Sequence, residues 1–71
     1  MADADIQALL DTSGTGQGIR IIRRAENTGT PAKRNYYVLP VQGYAGHARW
    51  VQTLASLSDA DTATAIVAAL A

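Results

Sequence analysis

Apolar residues recur at helical spacing near both ends of the chain and alternate with polar ones in its middle. Ile6, Leu9 and Leu10 stand at i, i+3 and i+4, which predicts a short amphipathic helix over residues 3–12, with Asp3 as N-cap and Gly14 as stop. Ala63, Ile66, Val67 and Leu70 share one helical face and predict a second helix over 59–70. Its start is marked by Ser58, followed three residues later by Asp61, a variant of the capping box. Between them, "GIRIIRRAE", "RNYYVLPVQGY" and "HARWVQTLAS" shift towards a period of two. They predict strands at about 18–26, 34–43 and 47–56. "NTGTPAK" has no period and reads as a loop, and "AG" at 45–46 as a tight turn. The expected architecture is one α+β domain over 1–71: a small, three-stranded, largely antiparallel sheet flanked by an N-terminal and a C-terminal helix (α-β-β-β-α).

Two points test this reading. "HARWVQTLASL" also tolerates a helical period, so a continuous helix through 44–57 would overturn it. Pro40 falls in the middle strand, where proline has no N–H for a ladder. The expectation is a bend or bulge there, with 34–39 and 41–44 pairing differently, or a middle strand that is not central.

"SGTGQGIR" sets three glycines in five positions. A phosphate loop feeds the N-terminus of a following helix, whose free amides and dipole attract an anion. Here a helix ends and a strand begins, no G-K-[ST] follows, and G-x-G-x-G is not the dinucleotide fingerprint. The stretch reads as a hinge, with Gly14 as helix stop and Gly16 and Gly18 permitting unusual backbone angles.

Size changes the picture. The chain has 71 residues and is 48% hydrophobic, but fourteen of those hydrophobic residues are alanines. A core this small stabilises marginally, and such domains usually add disulfides, a metal or a partner surface. With no cysteine and one histidine, neither a disulfide nor a metal site is expected, and no cofactor. Association with other chains is the natural supplement. The N-terminus is acidic where a signal peptide would be basic, and no apolar run approaches a membrane span. The expectation is no membrane and a cytoplasmic setting.

Catalysis finds little support. His47 could be set beside Ser56 or Asp59, but there is no nucleophile elbow and no titratable group tied to it locally. A partly exposed strand-end histidine and a non-enzymatic protein are expected.

The six basic residues all lie between positions 20 and 49, where Glu26 is the one acid. If "AG" makes a two-residue turn, Val41 lies opposite Trp50, Leu39 opposite Gln52 and Tyr37 opposite Leu54. That face, with Ile19 and Ile21, would take the helices. The other would carry Tyr36, Val38, Tyr44, Val51 and Ile22 among Arg20, Arg24 and Arg49, a mixture typical of protein interfaces. These eight residues are the candidate interface. The competing reading is that this second face packs against a loop, or against a helix assigned to the other side.

The expected partners are other protein subunits in a multicopy assembly or homo-oligomer. The alternative is a nucleic acid, with aromatics stacking on bases and arginines on phosphates; zero net charge weighs against it. "NYYVLPVQGY" and "GHARWVQTLASLSDADTATAIVAAL" resemble, over the whole chain, the small accessory proteins of tailed-phage virions. That resemblance implies capsid cement or decoration in a virion assembled in the host cytoplasm, and it transfers no individual site residue.

Overall fold

A computed structural model describes residues 3–14, 16–40 and 47–70. Helix α1 spans Asp3–Thr12, strands β1, β2 and β3 span Ile19–Asn27, Lys33–Pro40 and Arg49–Leu54, and helix α2 spans Asp59–Leu70. The fold is α+β, and residues 49–54 are strand rather than helix. The strands form an antiparallel meander in the order β1-β2-β3. Both helices pack on one side of it, α1 against β1 and α2 against β3, and they touch each other.

The core lies between these layers. Ile6 and Leu10 of α1 and Ala63, Ile66 and Leu70 of α2 meet Ile19, Tyr36, Val38 and Val51 of the sheet. Ile6, Leu10, Ile19, Tyr36, Val38 and Ile66 are fully buried, each worth about 1.5–3 kcal/mol of apolar transfer. The expected sheet faces are therefore inverted. Tyr36, Val38 and Val51, read from the sequence as an exposed interface, are the covered side. Tyr37, Trp50 and Leu54 lie on the open one.

Side-chain solvation explains the choice. The open face carries Arg20, Arg23, Lys33, Asn35 and Gln52 by register. Covering it would strip water from all of these polar groups without offering partners. On β1 and β2 the covered face is aliphatic and aromatic from Ile19 and Pro40 to Tyr36 and turns charged at its far end, and on β3 Arg49 stands exposed at the strand's start.

The pairing differs from the expected one in two ways. Tyr37 faces Trp50, Asn35 faces Gln52 and Lys33 faces Leu54, so β2 is displaced four residues from the register that the Ala45–Gly46 turn implied. That turn lies outside the described residues. An even displacement keeps the same residues together on each face. In β1 the register slips between Ile21, opposite Val38, and Arg23, opposite Tyr37. The extra residue, Ile22, makes a bulge and reverses the alternation beyond it. Arg24 therefore falls opposite Tyr36 on the covered side, apart from Arg20.

Pro40 does not break the sheet. It ends β2, buried opposite Ile19, and pairing with β3 stops two residues earlier at Val38 and Arg49. No β3 partner asks it for an N–H. The pairing of 41–44 lies outside the described residues, and within them the irregularity sits in β1.

Ser58 caps α2 as expected: the Asp61 amide donates to its Oγ at 3.1 Å. Thr62, buried one turn on, donates its hydroxyl and its amide to the Ser58 carbonyl. Asp3 starts α1 and spends its carboxylate on Arg24, 3.3 Å away, rather than on a cap. The hinge depends on two glycines other than Gly14. A Cβ on Gly16 would lie 2.9 Å from the Leu10 carbonyl oxygen, and Gly18 has φ 88°, a conformation that side chains rarely adopt. The α1–β1 junction is tight because of them.

Candidate docking surface

The open face is built around one cross-strand pair. Tyr37 of β2 and Trp50 of β3 stand directly opposite, with ring centroids 5.0 Å apart and planes tilted by 41°, a favourable aromatic geometry. Trp50 nevertheless remains 50% exposed. Ile22, at the bulge, is also 50% exposed, and Leu54, at the end of β3, is 41% exposed. Leu39 is half-buried beside them. Single exposed apolar residues are ordinary, but large ones gathered on one sheet face mark a contact surface.

Charge is partitioned between the layers. By register, Arg20, Arg23 and Lys33 lie on the open face, and no acid does. Asp3, Asp5 and Asp11 are on α1, and Asp59 and Asp61 on α2. Glu26, opposite Arg34, shares the covered side. Zero net charge thus hides a molecule with a basic, aromatic sheet and an acidic helical layer. Only Asp11 reaches round among the described ion pairs, lying 3.4 Å from Arg20. Both groups are exposed, and such a pair is worth at most about 1 kcal/mol.

At the far end of the covered side is an ionic cluster. Arg24 bridges Asp3 at 3.3 Å and Glu26 at 3.5 Å, and Arg34 Nε lies 3.0 Å from Glu26. The Tyr36 hydroxyl first, and Glu26 second, raise the Arg34 pKa above its ordinary value. This cluster gives the buried Tyr36 a polar outlet at the hydroxyl and ties α1 to β1.

The eight residues singled out from the sequence therefore separate. Arg20 is on the open face and exposed, and Ile22 is exposed at the bulge without a register partner. Arg24 joins the ionic cluster. Tyr36, Val38 and Val51 are core. Arg49 is exposed at the start of β3 but faces Val38, in register with the covered side. Tyr44 lies outside the described residues. Sequence reasoning missed Tyr37, Trp50, Leu54, Arg23 and Lys33, having given the first three to the core.

A useful signal was present in β1. Ile19 and Ile21 were rightly assigned to the covered side, and the β1–β2 hairpin sets Ile21 against Val38. The bulge hides that signal, because the hairpin traced outward from the Asn27–Lys33 pair without it would set Ile21 against Leu39 rather than Val38.

His47 is exposed, two residues before β3. Among the described residues, no three His, Cys, Asp or Glu side chains gather as a metal site, and no helix is long and apolar enough to cross a membrane. Between the helices, Leu9, Leu10, Ser13, Ala60, Ala63, Thr64, Val67 and Ala68 line an open cleft of about 340 Å³. It offers mostly apolar contact and no titratable group, so it supplies no chemistry of its own. Compared with family models, with curated proteins and with solved structures, the chain matches none.

Proposed function

We propose that the chain is a non-enzymatic docking module that buries its open sheet face against an acidic surface of another protein subunit. The observation that carries this reading is the exposure of Trp50 and Leu54 beside Tyr37 on an acid-free face, with Ile22 exposed at the neighbouring bulge. Trp50 and Tyr37 would be the desolvated anchor, and Arg20, Arg23 and Lys33 a cationic rim that sets partner and orientation. Capsid cement or decoration is the finer form of the same proposal and draws on the resemblance of the sequence to tailed-phage accessory proteins. In that setting many weak contacts on one particle would combine through multivalency.

A second reading is favoured by one specific observation. An aromatic pair beside three cations, with no acid on the face, could also stack bases and contact phosphates. Ile22 and Leu54 favour protein, because aliphatic side chains offer no ring to a base.

The deciding experiment is size measurement of the tagged chain purified from its source, with and without nuclease, beside the Tyr37→Ser/Trp50→Ser variant. The proposal expects a nuclease-resistant assembly in which the face is protected from hydrogen exchange, and which the folded variant fails to join. Release by nuclease, with salt-sensitive binding of single-stranded DNA or RNA, would move the assignment to nucleic acid. A variant that assembles as well as the parent would end both readings.

A further inference from the structure

The two edges of the sheet are finished differently. On β1, the Gln7 side chain acts as a surrogate strand: its Nε2 donates to the Ile19 carbonyl and its Oε1 accepts from the Ile21 amide, both at 2.8 Å. Beyond that point come the bulge at Ile22 and the arginines 20, 23 and 24. Amide cover, a bulge and charge are devices that keep an edge from pairing with another chain.

Among the described residues, no side-chain amide covers the β3 edge, and from Trp50 to Leu54 it has no bulge and no charge. Ala55 donates to the Ala32 carbonyl at 3.0 Å, in step with the Lys33–Leu54 register. Antiparallel hydrogen-bonded pairs alternate along a ladder. Arg49, Val51 and Thr53 therefore bond inward to β2, while the backbone groups of Trp50, Gln52 and Leu54 point away from it. Among the described residues, the Leu57 amide, which donates to the Leu54 carbonyl at 3.2 Å, is the one backbone group that meets them. "WVQTL" carries no charge, proline or bulge.

We propose that this edge pairs with the β3 edge of a second copy of the chain, antiparallel about a two-fold axis through Gln52. The segment is self-complementary in that register. Gln52 meets Gln52 of the second copy in a doubly hydrogen-bonded pair, and each Leu54 amide donates to the Trp50 carbonyl across the axis. On the open face, each half-exposed Trp50 covers the exposed Leu54 of the other copy. On the covered side, Val51 meets Thr53. Arg49 falls opposite Ala55, so no like charges face each other. Pairing through β1 would instead gather arginines and displace Gln7. A foreign strand would have to match the Trp50 and Leu54 spacing that a second copy already supplies.

The result is a six-stranded sheet, β1-β2-β3-β3-β2-β1. A two-fold axis perpendicular to the sheet leaves all four helices on one side. The other side becomes a continuous surface with two Tyr37–Trp50 pairs, one dimer presenting the docking face twice. The dimer does not depend on the docking proposal, and it is tested on the purified chain alone.

Sedimentation over a wide concentration range should show the mass doubling from 7.5 kDa. Exchange of the Gln52 amide should slow as the dimer fills. Two variants should remain monomeric with unchanged circular dichroism. Gln52→Pro removes an outward N–H that β2 does not use, and Trp50→Lys/Leu54→Lys sets like charges across the axis. If the proline variant fails to fold, the lysine pair decides. A parent chain that stays monomeric at every concentration, or a dimer that survives the lysine pair, would overturn the proposal.

Discussion

The two faces of this sheet are made from neighbouring residues and have opposite fates. Tyr36 and Tyr37 are adjacent in sequence, yet Tyr36 is fully buried beneath the helices and Tyr37 lies on the open side beside a half-exposed tryptophan. Both faces contain aromatic and aliphatic side chains, so the presence of apolar residues does not separate them. The difference lies in what accompanies those side chains. On the covered face, Arg24, Glu26 and Arg34 gather at one end in ion pairs that also reach Asp3, and Arg49 stands exposed at the start of β3. On the open face, Arg23, Asn35 and Gln52 are interleaved along the whole length. Helices can cover the first arrangement while desolvating few polar groups, and covering the second would desolvate many.

The strongest way to break this comparison is to truncate one residue from each face. Tyr36→Ala should cost about 3–5 kcal/mol, because it opens a cavity under both helices. Trp50→Ala should cost less than about 1 kcal/mol in the monomer, since half of that ring already meets water. Chemical denaturation of the two variants reads the difference directly, and equal losses would mean that the faces are not distinguished by burial.

A second test concerns how the covering layer is held. Gln7→Leu removes two hydrogen bonds that join α1 to the β1 backbone and leaves the Ile21 amide without its partner. A loss of about 1–3 kcal/mol is expected, with faster exchange of that amide. A smaller effect than at Gln7 is expected at α2, where Ser58→Ala removes the cap on the Asp61 amide. About 1 kcal/mol is expected, read as a lower midpoint with an unchanged slope.

Much of the fold is legible in the sequence because period is a local property. The spacing of Ile6 and Leu10, the Ser58 cap and the alternation of "RNYYV" identify helices and strands at nearly their observed positions. Face assignment is not local. Alternation separates Tyr36, Val38 and Val51 from Tyr37, Leu39 and Trp50, but it does not say which set a distant helix covers. The bulge at Ile22 adds to the difficulty, because one extra residue moves Arg24 across the sheet with no marker such as glycine at that position. The Ala45–Gly46 turn fixed the wrong β2–β3 register for a related reason: turn residues propose a pairing, and the packing of Tyr36 and Val51 under the helices decides it. Five of the eight candidate residues, Arg24, Tyr36, Val38, Arg49 and Val51, consequently fall on the covered side, while Arg20, before the bulge, lies on the open side.

The most direct test of the two-face account uses the single tryptophan as its own reporter. Trp50 emission and its quenching by acrylamide should be measured at a concentration where sedimentation gives a monomer. Water-exposed emission with efficient quenching is predicted, changing little until denaturant unfolds the chain. Blue-shifted emission in the monomer, shielded from the quencher until unfolding, would place Trp50 in the core and contradict the assignment of the faces.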